Sequence, residues 1–372
     1  MASGNLSNIA VWALTPNGRK LAETISRKMP VDSDVYLSLN IGGNRDGRFG
    51  FQKLGEAIQR EFMQYSGHIF VMSTGIVVRL IAPLIVHKTE DPAVVVVDDS
   101  GHHAISLLSG HLGGANQLAR ETAAAIGARP VITTATDVNQ VPAIDMLAKE
   151  KGLSIENPEA IKIVNMALLM GNKVMVCDPY HFLADALPTA VRLEPDDFVA
   201  HCSKTTEAED FEDAAYVLVT DHTFNLPTAV LVLRPASLFA GIGCNRNTEA
   251  AEILSHLAQV LGDNHLSPTS LSGIASIDVK ADEAGLIAAA ATLKLPLTFY
   301  DKRKLNQVTT IQNPSEIVEK HVGVKSVCEA AAILASGSGN LIVPKGSTKN
   351  VTVAIARINY LSSESDRAAR NT

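Results

Sequence analysis

The chain has 372 residues, enough for two or three domains, with 46% hydrophobic and 19% charged residues, the composition of an ordinary soluble protein with ample core material. A net charge of −7 and the lack of a basic run argue against a nucleic-acid partner. Cys177, Cys202, Cys244 and Cys328 are scattered without C-x-x-C spacing, which argues against a disulfide framework or a zinc site.

The first strand-like runs, 9–13 and 35–39, flank an amphipathic segment over 17–28. Helical spacing follows over 52–65. Then 68–72 reads as a strand buried on both faces. Ser73-Thr74-Gly75 leads into a helical pattern over 76–84. That is part of the longest apolar stretch, 76–86, which Arg79 and Pro83 interrupt, so no membrane partner is expected. The opening residues lack a cationic leader, and the expected location is cytoplasmic.

Asp98-Asp99-Ser100-Gly101 has hairpin-turn chemistry between strands 93–97 and 104–108, leaving His102 and His103 exposed. Next come a glycine-rich turn, a helix over 117–126 and a strand over 130–134. The middle shows helical patterns at 143–151 and 158–169 and short strands at 173–176, 215–219 and 229–233. Its acidic stretch 194–213 reads as a loop or solvated face. The last part holds the glycine turn at 241–243, strands at 274–279 and 297–300, helices at 282–293 and 326–335, and the strand pair 341–344 and 351–356. Strands alternating with helices predict an α/β fold with mostly parallel sheets. The expected layout is an N-terminal α/β domain over 1–136, a smaller mixed α/β segment over 137–234, a C-terminal α/β domain over 235–360 and a flexible tail over 361–372.

The richest chemistry lies in Ser109-Gly110-His111-Leu112-Gly113-Gly114-Ala115-Asn116, read as strand, glycine turn, helix. Its glycines allow close backbone approach, and the helix start offers N–H groups to an anion. His111 at its centre titrates near neutrality and suits acid–base work. A tight connector would need the same glycines. The turn lacks Gly-Lys-Ser/Thr, so it is no P-loop, and Arg246 stands where a dinucleotide fingerprint would place its third glycine. Ser73-Thr74-Gly75 is a second turn of this kind. The two turns at the carboxyl ends of neighbouring parallel strands would form one crevice. Cys244, ahead of a helix, is a candidate for a lowered thiol pKa. Glu329 near a helix start either complements the dipole or reaches a ligand.

Taken together, Ser73–Arg79, Asp91–Asp98 and Leu107–Asn116 resemble the amino-terminal signature of the cobalt-precorrin-5A hydrolase family (CbiG). Gly241-Ile242-Gly243-Cys244, Ser276-Ile277-Asp278-Val279-Lys280 and the run 323–331 resemble its carboxy-terminal domain. The sequence departs at Asn245 and Asn247, where that pattern has arginine and glycine. The resemblance implies a hydrolase of anaerobic cobalamin biosynthesis. Water opens the δ-lactone of a cobalt-containing macrocycle, and the methylated two-carbon unit leaves as acetaldehyde. It implies no cofactor, since cobalt arrives with the substrate, and no protein metal site. His111 is the expected acid/base and Glu329 the second candidate. Substrate contacts are expected from Ser73, Thr74, Gly75, Arg79, Ser109, Gly110, Gly113, Gly114, Asn116, Gly243, Cys244, Arg246 and Lys280. Beyond the cobalt-corrinoid substrate, the partners considered are a second copy of the chain, as a homodimer, and neighbouring pathway enzymes in transient contact. The alternatives are a non-catalytic binder of polycarboxylate tetrapyrroles and a dinucleotide-dependent oxidoreductase. His111 replacement should change folding by under about 1 kcal/mol if the side chain is mostly exposed.

Overall fold

A computed structural model describes residues 8–44, 48–87, 90–183, 186–204, 214–314 and 323–360. The tail over 361–372 lies outside them. The chain divides into two compact units, Met1–Glu150 with Leu168–Met170, and Lys151–Ala167 with Gly171–Thr372.

In the first unit the elements run β1 (Ile9–Ala13), α1 (Pro16–Lys28), β2 (Ser33–Ser38), β3 (Phe49–Phe51), α2 (Leu54–Glu61), β4 (Gly67–Val71) and α3 (Thr74–Ile81). They continue with β5 (Ala93–Val97), β6 (His103–Leu108), α4 (Ala115–Ile126), β7 (Arg129–Val131), α5 (Ala135–Val138) and α6 (Ile144–Glu150). One seven-stranded sheet results, in the order β3-β2-β1-β4-β5-β6-β7. Its central strands are covered on both faces, which is why they read as unbroken apolar runs. Ile9, Val11 and Ala13 enter one core with Leu118 and Ala119 of α4, while Ala10 and Trp12 enter the other with Ile58, Phe62 and Val77. Helix α1 starts where Thr15 Oγ1 accepts the Gly18 N–H at 2.9 Å and Pro16 presets the first turn. At its far end Lys28 Nζ donates to the Ala125 carbonyl at 2.8 Å, tying α1 to α4.

The expected hairpin is present: β5 pairs antiparallel with β6, Val97 opposite Ala104 and Val94 opposite Leu108. It reverses the direction of β6 and of β7, which runs parallel to β6. The expectation of one crevice is therefore corrected. Ser73-Thr74-Gly75 follows the carboxyl end of β4, whereas Ser109–Asn116 emerges beside the start of β5, at the opposite edge of the sheet.

The second unit begins with β8 (Leu153–Ile155), α7 (Ile161–Met170, apart from its last three residues), β9 (Lys173–Cys177), β10 (Ala190–Arg192), α8 (Pro195–Lys204), β11 (Ala214–Val219) and β12 (Leu231–Pro235). These strands form a sheet ordered β10-β9-β11-β12-β8, parallel except for β8. Within the stretch expected as a loop or solvated face, 195–204 form helix α8 with most described positions exposed, and 205–213 lie outside the described residues. Pro195, Asp196 and Asp197 suit its first turn, and Phe198 and Cys202, one turn apart, are buried.

The rest comprises β13 (Leu238–Cys244), α9 (Ala250–Asp263), β14 (Leu271–Ile277), α10 (Ala284–Leu293), β15 (Leu297–Tyr300), α11 (Lys302–Asn306), α12 (Val327–Ala335), β16 (Asn340–Ser347) and β17 (Val351–Arg357). Its sheet order is β15-β14-β13-β17-β16, with β13, β14 and β15 parallel and the terminal hairpin antiparallel. The glycine turn expected at 241–243 is instead the middle of β13. A Cβ on Gly241 would sit 1.8 Å from the Cys328 carbonyl oxygen, so glycine is needed for α12 to lie against this strand. Buried Asp221 joins the two sheet regions of this unit, taking Arg357 Nε at 2.7 Å, Arg357 Nη2 at 2.9 Å and Ser237 Oγ at 2.6 Å.

Candidate active site

The turn after β6 is built to present one side chain. Ser109 adopts φ +58° and Gly114 φ +90°, and the Gly114 N–H closes a turn onto the His111 carbonyl at 2.8 Å. Ser109 and Gly110 carbonyls accept the first helical N–H groups, those of Ala115 and Asn116, both at 3.0 Å. The amides expected to face an anion at Gly114 and the start of α4 are thus spent inside the loop, a correction to that role for Gly114. Gly113 is needed for packing, since a Cβ there would lie 2.3 Å from the Ser109 Cβ. The Ser109 Oγ is buried and has no hydrogen-bond partner among the described residues.

His111 is projected between two carboxylates. Its Nδ1 lies 3.2 Å from Asp145 Oδ2, and its Nε2 lies 3.0 Å from Thr136 Oγ1 and 3.3 Å from Asp137 Oδ2. The ring is about one-fifth exposed, and the Asp145 side chain only 5%. His111 is therefore not the mostly exposed residue expected. Its hydrogen bond to Asp145, against the opposing effect of burial and with the charge of both aspartates, raises its pKa above 6.5.

Asn116, 4% exposed, holds this arrangement from below. Its Oδ1 accepts from Ser106 Oγ at 2.7 Å, and its Nδ2 donates to Thr134 Oγ1 and Asp137 Oδ2, both at 2.9 Å. Arg120 Nη2 donates to Asp137 Oδ1 at 2.5 Å. Burial works against the Asp137 charge, but the hydrogen bonds from Thr134 and Arg120 outweigh it and keep its carboxyl below the usual range. Lys149 Nζ donates to the Leu112 carbonyl at 3.2 Å, bracing the loop, and burial lowers its pKa. A pocket of about 460 Å³ opens here, lined among others by Gly110, His111, Asn116, Arg120, Asp137 and Lys149. Asn116 is thus a framework residue that also lines the pocket. Arg120, Asp137, Asp145 and Lys149 were not singled out in the sequence, where Arg120, Asp145 and Lys149 read as ordinary helix residues and Asp137 fell between the expected elements.

The remaining expected residues lie elsewhere. Ser73, Gly75 and Arg79 are exposed and Thr74 half-buried, all at the other sheet edge. Ser73 stands at the start of α3 without a side-chain cap bond. In the second unit, Arg246 pairs with Asp282 at 2.5 Å and with the Val279 carbonyl at 2.7 Å, while Lys280 pairs with Glu283 at 3.3 Å. Asn247 has φ +59°, a conformation asparagine tolerates better than most side chains, which explains how it stands where glycine is expected. Gly243 faces Thr352 in the sheet. Cys244 has its thiol pushed up by burial, correcting the expected lowering.

Glu329 is fully buried. Gln312 and Asn313 amides donate to its Oε2 at 2.8 and 3.0 Å, and Lys345 N and Asn313 Nδ2 to its Oε1 at 2.9 and 3.1 Å. Burial alone would raise its pKa, but these amides outweigh it and lower it. With both oxygens held and no exposed surface, Glu329 is an internal tie between α12, β16 and the 312–313 segment. This corrects its placement as an acid/base group.

The chain matches three consecutive family regions: Cobalamin synthesis G N-terminal over residues 56–137, Cobalamin biosynthesis central region over 142–235 and Cobalamin synthesis G C-terminus over 238–356. The class is thus an α/β enzyme of cobalamin biosynthesis. It is 34% identical over 94% of its length to the cobalt-precorrin-5A hydrolase of Priestia megaterium, 95% of which is covered. Against the cobalt-precorrin-5A hydrolase of Salmonella typhimurium it is again 34% identical, over 94% of this chain and 97% of that one. A Sinorhizobium protein, CobE, is 37% identical over 123 residues, 32% of this chain and 80% of that one. The chain belongs to the CbiG family of cobalt-precorrin-5A hydrolases. Among the described residues no helix is long and apolar enough to cross a membrane.

Proposed function

We propose that this enzyme opens the δ-lactone of cobalt-precorrin-5A with water and releases acetaldehyde, giving cobalt-precorrin-5B, and that the reaction takes place at the His111 pocket. One observation carries this location: an imidazole held between two carboxylates at the wall of a pocket that also carries Arg120 and Lys149.

Water adds to the lactone carbonyl and gives up its two protons to solvent, and the acyl–oxygen bond breaks to leave a carboxylate and an alcohol. His111 in its cationic form donates a proton from Nε2 to the departing oxygen. The neutral ring then takes back the alcohol proton as the carbon–carbon bond breaks and acetaldehyde leaves, with the bonding electrons passing to the macrocycle. Arg120 and Lys149 offer positive charge to the peripheral carboxylates, which suit both. Cobalt comes with the substrate, and no resident cofactor is assigned. The enzyme is proposed to work in the cytoplasm as a homodimer that passes product to the next pathway enzyme.

Purified enzyme given cobalt-precorrin-5A should release one acetaldehyde per macrocycle without added nicotinamide, flavin or metal. A strict requirement for any of these would overturn the hydrolytic reading. Full release by His111→Ala would overturn its location.

A further inference from the structure

We infer that Asp145 is the positioning residue of this site: it fixes His111 as a doubly protonated ring with Nδ1–H anchored inward and Nε2–H turned to the pocket wall. The inference rests on the proposed role of His111.

The two carboxylates beside the ring differ. Asp137 lines the pocket and is 23% exposed at its side chain. Its charge is shared, with Oδ1 bound by Arg120 and Oδ2 by Asn116 and Thr134. Asp145 is 5% exposed and does not line the pocket. A buried carboxylate requires a close positive partner, and His111 Nδ1 lies at 3.2 Å. Lys149, on the same helix, donates to the Leu112 carbonyl and also feels the Asp145 charge.

The charged groups placed against the ring among the described residues fit this division. Helix α5 brings Asp137, α6 brings Asp145 and Lys149, and α4 brings Arg120, which compensates Asp137. Glu121 of α4 lies on the pocket wall and adds negative potential. A ligand oxygen arriving in the pocket meets the Nε2 side, where it competes with Asp137 and Thr136. The Nδ1 side stays closed. His111 therefore keeps its orientation and its second proton while Nε2 gives up the first.

The test is histidine-detected NMR on the full-length enzyme without substrate, alongside the pH dependence of acetaldehyde release. In the native enzyme the His111 signals, assigned by their loss in His111→Asn, should titrate above pH 6.5 with Nδ1 protonated throughout. Asp145→Asn keeps the volume and a hydrogen-bond acceptor but removes the charge. It should lower the His111 midpoint by about one pH unit and move the alkaline limb of kcat by the same amount. Asp145→Glu should restore most of that shift. A native His111 titrating at or below 6.5 would overturn the inference even if Asp145→Asn failed to fold, as would an unmoved midpoint in a folded Asp145→Asn. A role limited to stability would lower the melting temperature alone. Full turnover by His111→Asn would instead remove the proposed acid–base role of His111, whatever the NMR titration shows.

Discussion

Leu108 lies opposite Val94 across the antiparallel β5–β6 pair, so the chain leaves β6 at the edge of the sheet where β5 begins. Five residues of β5 put about 17 Å between that edge and the one carrying Ser73 and Arg79. The two glycine-containing turns are thus separate features of one domain. Locally, the site still obeys the usual rule, because β6 and β7 are parallel and the pocket lies beyond their carboxyl ends.

Two arginines test this separation. Arg120→Ala removes the partner of Asp137 Oδ1 and a cation of the pocket wall. Its kcat/KM for acetaldehyde release should fall about tenfold or more, the scale of one lost charge-assisted hydrogen bond. Arg79→Ala, at the far edge, should change it by less than about twofold, as for surface substitutions generally. Equal losses from both would show that the substrate reaches both edges.

His111→Ala should lower turnover about 10²–10⁴-fold, the usual range for lost general acid–base catalysis. His111→Asn, which can hydrogen-bond but not shuttle protons, should be nearly as impaired. Stability should also suffer, unlike the expectation for an exposed residue. The change removes the ring that stands 3.2 Å from buried Asp145 and should cost about 2 kcal/mol. Urea denaturation of both variants checks this, and an Asn variant with most of the native turnover would make His111 a positioning residue.

Much of this was legible in the chain. The central strands, the Asp98–Gly101 hairpin and the placement of His111 in a strand-to-helix turn follow from apolar runs and turn residues. The edge exchange also follows from that hairpin, since an antiparallel return must bring the next turn to the opposite side. Asp145 was not legible, because one aspartate in an amphipathic pattern carries no mark of burial. Gly241 misled for a related reason. Glycine permits a turn and also permits a helix to approach a strand closely, and only packing against Cys328 distinguishes the two. Helix α8 was hidden by its acidic first turn, which resembles a solvated loop until Phe198 and Cys202 are seen inside.

His68 should set an acid limit on stability. It is fully buried, accepts from Trp12 Nε1 at its Nδ1 at 3.1 Å and donates from Nε2 to the Phe62 carbonyl at 2.9 Å. Burial lowers its pKa from 6.5 to about 4, against the smaller raising effects of the hydrogen bond to Phe62 and the charge of Glu61. Between those values the unfolded chain binds the proton more readily. The contribution is therefore complete above pH 6.5 and is lost as pH falls toward about 4. The loss should approach about 3 kcal/mol. Denaturant unfolding at pH 7.5 and 4.5 should show a steeper drop in the native enzyme than in His68→Phe, and matching drops would remove His68 as the cause.

Gly241 and Gly262 should respond in opposite ways to the same added methyl. At Gly241 the new Cβ would meet backbone, 1.8 Å from the Cys328 carbonyl oxygen and 2.7 Å from the Ala332 nitrogen, so α12 must lift from β13. Displacing α12 also disturbs Glu329 and its amide partners, one residue beyond Cys328. Gly241→Ala should cost about 3 kcal/mol or more. Gly262 lies in α9 with nothing within 4 Å of the added atom. There alanine only reduces the freedom of the unfolded chain and should stabilise by about 0.5–1 kcal/mol. Melting temperatures of the two variants decide the matter: a Gly241→Ala protein as stable as the native enzyme would mean that α12 does not rest on β13.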